Sequence, residues 1–364
     1  MTKQFSSRRI TVTLTAAVLL LVVALGAWLA LRSSPNRPPF RFFAADSVWN
    51  RPVPANAPLD PNSEAVVGNL LAQEASEVRG IASSHGVPIY TVGPSQPTVS
   101  VTLHASSPQP ALSQAFKAVP LPAEAVPAEG TDSYVAVYQP STDTMWEFWR
   151  LHKVAGGWQA AFGGRMVHVS TDPGYYRNVF SPQGKVLERP WWGAPASSLA
   201  LVGGVMTIAQ LQSGQINHAL CLALGNTRAG VWAWPAQRSD GTLTSPNAVP
   251  EGAHFRLDPH LNLASLHLPH FVYMMAVAAQ KYGIIINNRA VGLGFRAENP
   301  NQFEAAHGYN PYFGPLNRPG TPGALFDQWP SQMLREFPWK DLQLLKMNLR
   351  THADTRPVVE SAPN

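Results

Sequence analysis

The run SYVAVYQPSTDTMWEFWRLHKVAGGWQAAFGGR, Ser133–Arg165, constrains the fold more tightly than any other stretch. Val135 and Val137 alternate with Tyr134, Ala136 and Tyr138, and Pro140-Ser141-Thr142-Asp143 then makes a turn. Met145–Leu151 is the second run. Gly156-Gly157 turns the chain again, and Trp158–Phe162 leads to Gly163-Gly164. Alternation bounded by Gly, Pro and Asp is the signature of antiparallel hairpins, so three short strands are expected. The period of two puts Met145, Glu147 and Trp149 on one face and Trp146, Phe148 and Arg150 on the other.

A carboxylate flanked by aromatics on a sheet face is what a sugar-binding cleft needs. Rings cover the apolar faces of pyranoses, and an acid in a partly dry pocket has a raised pKa suited to protonating a leaving oxygen. Equally, Trp146, Phe148 and Trp149 are ordinary core material, with Glu147 paired to Arg150 or Arg165 at a rim.

At the N-terminus a basic stub, residues 1–9, carries Lys3, Arg8 and Arg9. Ile10–Leu31 follows without a single charge. At about 1.5 Å per residue this run is long enough, as a helix, to cross a hydrocarbon core of about 30 Å. It exceeds the ~7–15 apolar residues of a cleavable signal. We expect an uncleaved transmembrane anchor, a linker over 32–41, an extracellular domain over 42–350 and a disordered tail over 351–364. Cleavage near Ala24–Ala27 would instead give a secreted protein.

The leader also accounts for most of the net charge. Of 27 Lys and Arg, four lie in residues 1–32 with no acid, leaving 23 against 22 Asp and Glu. A near-neutral domain gives no basic face for nucleic acid, and none is expected as a partner. Charged residues are only 13% of the chain, which suits neutral ligands such as glycans. Cys221 is the single cysteine, so no internal disulfide forms, and a lone Cys in an apolar strand reads as a small buried hydrophobe. Neither CxxC nor HExxH occurs, and no metal or other cofactor is expected.

Along the rest of the chain, Asn62 or Ser63 caps a helix running to about Val78, and Thr98–Leu103 alternates as a strand. Asp172–Trp192 reads as a long loop carrying Tyr175, Trp191 and Trp192, a composition that walls ligand sites. Thr207 caps a helix over Ile208–Ser213. Gln215–Leu224 and Gly230–Pro235 read as strands, the first bearing His218 and the second Trp232 and Trp234, with Arg238 and Asp240 in the loop beyond. Pro269 starts and Gly283 ends a nearly all-apolar helix. Residues 299–328 read as loop, Ser331–Phe337 as a short helix and Leu342–Lys346 as a last strand or turn.

Several of these stretches occur together: Asp46–Asn50 (DSVWN), Leu59–Ser63 (LDPNS), the Trp146-Glu147 strand, Leu201–Leu224 (a Gly-Gly pair, twelve residues, then NHALCLAL), Trp234–Arg238 (WPAQR), Glu251–Asp258 (EGAHFRLD) and the helix ending in Lys281-Tyr282-Gly283. The set resembles a group of secreted or surface-anchored bacterial proteins with no assigned activity, over roughly residues 42–346. It implies one extracellular unit and no particular chemistry. A looser likeness is to sandwich-type carbohydrate-active proteins. Laminarinase-like enzymes place two acids alternating on one strand, whereas Glu147 here has Met145 and Trp149 beside it.

The expected fold is mainly β: an antiparallel jelly-roll-like sandwich with three or four peripheral helices. The expected activity is hydrolysis of a polysaccharide or cell-envelope glycan. Glu147 would be the general acid, Asp143, Asp240 or Asp258 the second carboxylate, and His218 a proton-sharing group. Trp149, Trp191, Trp192, Trp234, Tyr175 and Arg238 would hold the sugar. A polysaccharide lyase would use His218 or Tyr175 as base, with Arg165 or Arg177 neutralising a uronate. A non-catalytic glycan- or partner-binding protein would keep the aromatics without convergent acids.

Overall fold

The computed structural model describes residues 40–76, 79–104, 110–177, 179–180, 186–188 and 192–351. The expected anchor, its basic stub, Trp191 and the tail from 352 lie outside the described residues. Among the described residues no helix is long and apolar enough to cross a membrane. The chain from Arg41 onward gathers into one unit.

Leu220–Leu224 (LCLAL) and Ile284–Arg289 (IIINNR) are apolar for most of their length, the composition of strands covered on both faces. They pair in parallel at the middle of a six-stranded sheet. Its order is Arg79–Val87, Leu293–Glu298, Leu220–Leu224, Ile284–Arg289, His254–Leu257 and Leu342–Leu344. Leu220, Leu222, Ile284 and Ile286 enter one core with Phe271, Val272 and Met275 of the helix His270–Lys281 and Leu70 of the helix Ser63–Ser76. Cys221 and Ile285, pointing the other way, enter a second core.

That second core is built on a four-stranded sheet, Ile89–Thr91, Val135–Gln139, Thr144–Trp149 and Phe162–Val167 in that order. The hairpin expected from alternation forms, with Val135 opposite Phe148 and Gln139 opposite Thr144. The third expected strand divides in two. Gly157–Ala160 joins His152–Val154 and Val101–Leu103 in a separate three-stranded sheet, and Phe162–Val167 takes the place beside Thr144–Trp149. Gly163 and Gly164 make this approach possible. A Cβ on Gly163 would run into the Glu147 carbonyl, and one on Gly164 into the Tyr176 ring.

The protein is mainly β, with few helices, as expected. Pairing is mixed where antiparallel pairing was expected. Among the described residues four strand pairs are parallel: Arg79–Val87 with Leu293–Glu298, Leu220–Leu224 with Ile284–Arg289, Ile89–Thr91 with Val135–Gln139, and Val101–Leu103 with Gly157–Ala160. Parallel partners need long crossovers, and the segment from 224 to 284 supplies one that contains the helix His270–Lys281.

Trp49 joins the two halves. Its side chain is 1% exposed, its Nε1 donates to the Gly174 carbonyl at 2.8 Å, and Gly203 and Gly204 leave room for its ring. Its own carbonyl accepts from Ala219 N at 2.7 Å. The Asn50 amide next to it donates to the carbonyls of Phe42, Phe43 and Ala44. Thr207 forms the expected cap, a full capping box with Gln210. A short helix at Asn301–His307 occupies a run read as loop, another forms at Pro110–Ala115, and Leu349–Thr351 pairs with Val231–Ala233 at the edge of the expected tail.

Candidate functional site

Glu147 sits mid-strand with both sheet faces covered, and its side chain is 0% exposed. It makes no rim pair with Arg150 or Arg165. Instead Oε1 accepts from Ala194 N at 2.7 Å and Oε2 from Leu201 N at 2.8 Å. Burial pushes this carboxyl up to about 7; the two backbone donors, Tyr176 and the buried Arg296 guanidinium act in the opposite direction. In this position Glu147 holds the segment 194–201 against the sheet, and Trp146 and Phe148 on the opposite face are core.

Asp143 lies at the hairpin tip in a left-handed conformation, φ 47°. It accepts from the Tyr138 hydroxyl at 2.9 Å and from the Ser170 hydroxyl at 2.7 Å, as well as from Ser170 N. Partial burial would raise its carboxyl, but these donors outweigh it and the net direction is down. Four residues along a strand separate it from Glu147 by about 13 Å at ~3.3 Å per residue, beyond the ~5–9.5 Å of paired catalytic carboxylates. Asp258 turns back on its own loop, where Oδ1 accepts from His260 N at 2.8 Å. His218 is buried between the Ala219 carbonyl, 2.9 Å from Nδ1, and Gln210 Oε1, 3.0 Å from Nε2. Burial lowers it to about 4, which keeps the ring neutral.

A different group converges at the loop after Trp234. The turn Pro250-Glu251-Gly252 fits only because Gly252 has φ 82° and packs against the Ala233 carbonyl. The Glu251 backbone forms a bridge with Trp232, and Ala233 N donates to the Glu251 carbonyl at 2.8 Å. The Glu251 side chain is thereby turned inward, 0% exposed, and neither of its oxygens meets a donor in good hydrogen-bond geometry. Burial raises its carboxyl well above the usual range. Asp240, whose own carboxyl reaches it, raises it further, and the Arg238 guanidinium works the other way. Asp240 itself is exposed, so the pair runs from the surface inward.

Arg238 ties this pair to Glu147. Its Nη2 donates to the carbonyls of Gly193 and Pro195 at 3.1 Å each, and its guanidinium lies 5.2 Å from the Phe162 ring centroid. Glu251, Asp240 and Glu147 all act on its charge. Arg289 Nη1 donates to the Asp240 carbonyl at 2.8 Å. Arg238 Nε and Arg289 Nε are buried without an acceptor. Burial and the neighbouring Asp240 carboxyl both favour the neutral form of Glu251.

The aromatics divide. Trp234 is half-buried above this loop and meets Tyr175 edge-on at 5.8 Å. Trp192 and Tyr175 are each 8% exposed. Trp149 Nε1 donates to Asp132 at 2.8 Å, and Arg150 covers its ring at 4.4 Å. Of the expected site residues, then, Glu147, Arg238 and Asp240 share one electrostatic neighbourhood with Trp234 at its edge, while Asp143, Asp258 and His218 are engaged elsewhere. Glu251 was not foreseen. A single acid between Pro250 and Gly252 reads as a solvated turn, and only the tertiary fold turns it inward. Among the described residues no group of three or more His, Cys, Asp and Glu could hold a metal ion. Comparison with models of protein families, with curated proteins and with solved structures finds no match for this chain.

Proposed function

We propose that this is an extracellular, membrane-tethered enzyme that cleaves glycosidic bonds in a cell-envelope polysaccharide, with Asp240 and Glu251 as its acid pair. The observation that carries the reading is the fully buried Glu251 carboxyl, held toward its neutral form beside exposed Asp240 and the Arg238 guanidinium. Such a pair delivers its shared proton through Asp240 to the glycosidic oxygen as the C1–O bond breaks. Water then adds to the anomeric carbon and returns a proton to the pair. Once the proton has left, both carboxyls carry charge until the water returns one, and the Arg238 guanidinium is the cation that offsets this; half-buried Trp234 offers a ring to the sugar face. The charge-free Ile10–Leu31 run supports the tether.

One observation favours a second reading, a non-catalytic glycan- or partner-binding protein. Glu251 is fully buried with neither oxygen hydrogen-bonded, whereas a two-carboxylate hydrolase opens both acids, ~5–9.5 Å apart, to sugar and water. The test is release of reducing ends from a panel of cell-wall and capsular polysaccharides by the intact protein and its Asp240→Asn variant. Release lost in the variant supports the hydrolase. Unsaturated ends absorbing in the ultraviolet would indicate the lyase chemistry instead. Equal glycan binding by both proteins with no product would sink the enzymatic reading.

A further inference from the structure

The strand Leu293–Glu298 ends at a cleft of about 520 Å³ that belongs to none of the groups above. Glu298 lies at its wall, Gln212 and Gln302 beside it, and Phe303, His307 and Tyr309 add their rings to the lining. Phe303 and His307 stack at 4.0 Å with their planes 17° apart, and Tyr309 meets Phe303 edge-on at 5.4 Å. His307 Nδ1 is 3.0 Å from the Phe303 carbonyl, so Nδ1–H donates there. Glu298 Oε2 accepts from Ile208 N at 2.8 Å. Among the described residues that line the cleft there is no Lys or Arg.

This combination has a definite complement. Aromatic rings present a negative face to a cation, a carboxylate supplies the opposite charge, and side-chain amides suit hydroxyls. Burial raises the Glu298 carboxyl, and a single backbone N–H is what offsets that burial. A cation in the cleft would favour the ionised form.

We propose that this cleft binds an amino sugar carrying a free ammonium group. The ammonium lies against the Glu298 carboxylate, the apolar face of the ring rests on the Phe303, His307 and Tyr309 rings, and the hydroxyls meet Gln212 and Gln302. The site is separate from the Asp240–Glu251 pair and stands whether or not that pair is catalytic.

The test is calorimetric titration of the full-length protein with a glucosamine disaccharide, its N-acetylated form, cellobiose and spermidine. The glucosamine disaccharide is expected to bind with Kd below about 1 mM, and the N-acetylated and neutral sugars at least about 10-fold more weakly. Glu298→Gln keeps an oxygen to accept from Ile208 N and should keep its melting temperature while losing at least about 10-fold in affinity. Tyr309→Ala should weaken binding too. Equal affinity for neutral or N-acetylated sugar, spermidine binding as tight as the amino sugar, an unaffected Glu298→Gln variant, or no binding of the glucosamine disaccharide would each overturn the proposal.

Discussion

Glu147→Gln separates the energetic cost of an enclosed carboxylate from the benefit of its two backbone donors. The carboxyl titrates at about 7 in the folded protein against an ordinary 4.5. Because the folded value is the higher one, the folded state binds more protons than the unfolded state between these two pH values. The stability this group contributes is therefore fully present below pH 4.5 and is lost as pH rises through about 7. At about 1.36 kcal/mol per pH unit that gap amounts to about 3 kcal/mol. The amide that Glu147→Gln introduces cannot ionise. The difference in unfolding free energy between variant and wild type should therefore shift in the variant's favour by about 3 kcal/mol from about pH 4.5 to about pH 8. At acid pH the variant should be the less stable of the two. Its amide NH2 faces Ala194 N or Leu201 N, losing one hydrogen bond at a cost of about 1–3 kcal/mol. The assay is urea unfolding of residues 33–364 at several pH values across this range, followed by tryptophan fluorescence. Other titrating groups cancel in the difference. A difference flat with pH would mean that the carboxyl ionises normally. A variant losing ground as pH rises would mean that the two N–H donors outweigh burial.

Three further outcomes follow from packing. Gly164→Ala drives a methyl into the Tyr176 ring and should cost about 1–3 kcal/mol by denaturant midpoint, whereas Gly80→Ala, with open space around it, should cost under about 1 kcal/mol. Trp49→Phe leaves the Gly174 carbonyl with Ala200 N, at 3.3 Å, as its donor and opens a void against Gly203 and Gly204, for an expected loss of about 2–3 kcal/mol in the same measurement. Cys221 is buried, and burial pushes its thiol up to about 12. A thiol reagent at mildly alkaline pH should label it only as fast as the protein unfolds, and rapid labelling of the native protein would contradict this enclosure.

Elements whose information is local were legible in the sequence. The Val135–Trp149 hairpin carries alternation and a Pro-Ser-Thr-Asp turn, the helix His270–Lys281 is bracketed by Pro269 and Gly283, and Thr207 with Gln210 spells a capping box. Arg79–Val87 (RGIASSHGV) has neither period nor bulk, and becomes a strand because Leu293–Glu298 lies alongside it. The Phe162–Val167 strand was obscured by Gly163-Gly164, which carry no hydrophobic signal because Tyr176 and the Glu147 backbone need that space. At the site, Glu147 was picked out for its aromatic neighbours, but alternation does not say what covers each face. Arg238 and Asp240 were legible as polar groups in a loop. Glu251 was not, since its burial depends on residues 232–240 folding over it.

The pairing of Arg79–Val87 with Leu293–Glu298 also bears on the order of assembly. More than half the chain separates the partners, so the first strand has nothing to dock on until nearly the whole domain has been made. Long-range parallel pairing of this kind is slow, because loop closure comes before the contacts that reward it. The four strands from Leu220 to Glu298 that belong to this sheet can find one another first, with Arg79–Val87 added last at the edge. An arrest or truncation before about residue 290 would leave a hydrogen-bonding edge uncovered, and such edges recruit other chains. Holding the N-terminal third extended until synthesis is complete would therefore protect this protein from aggregation.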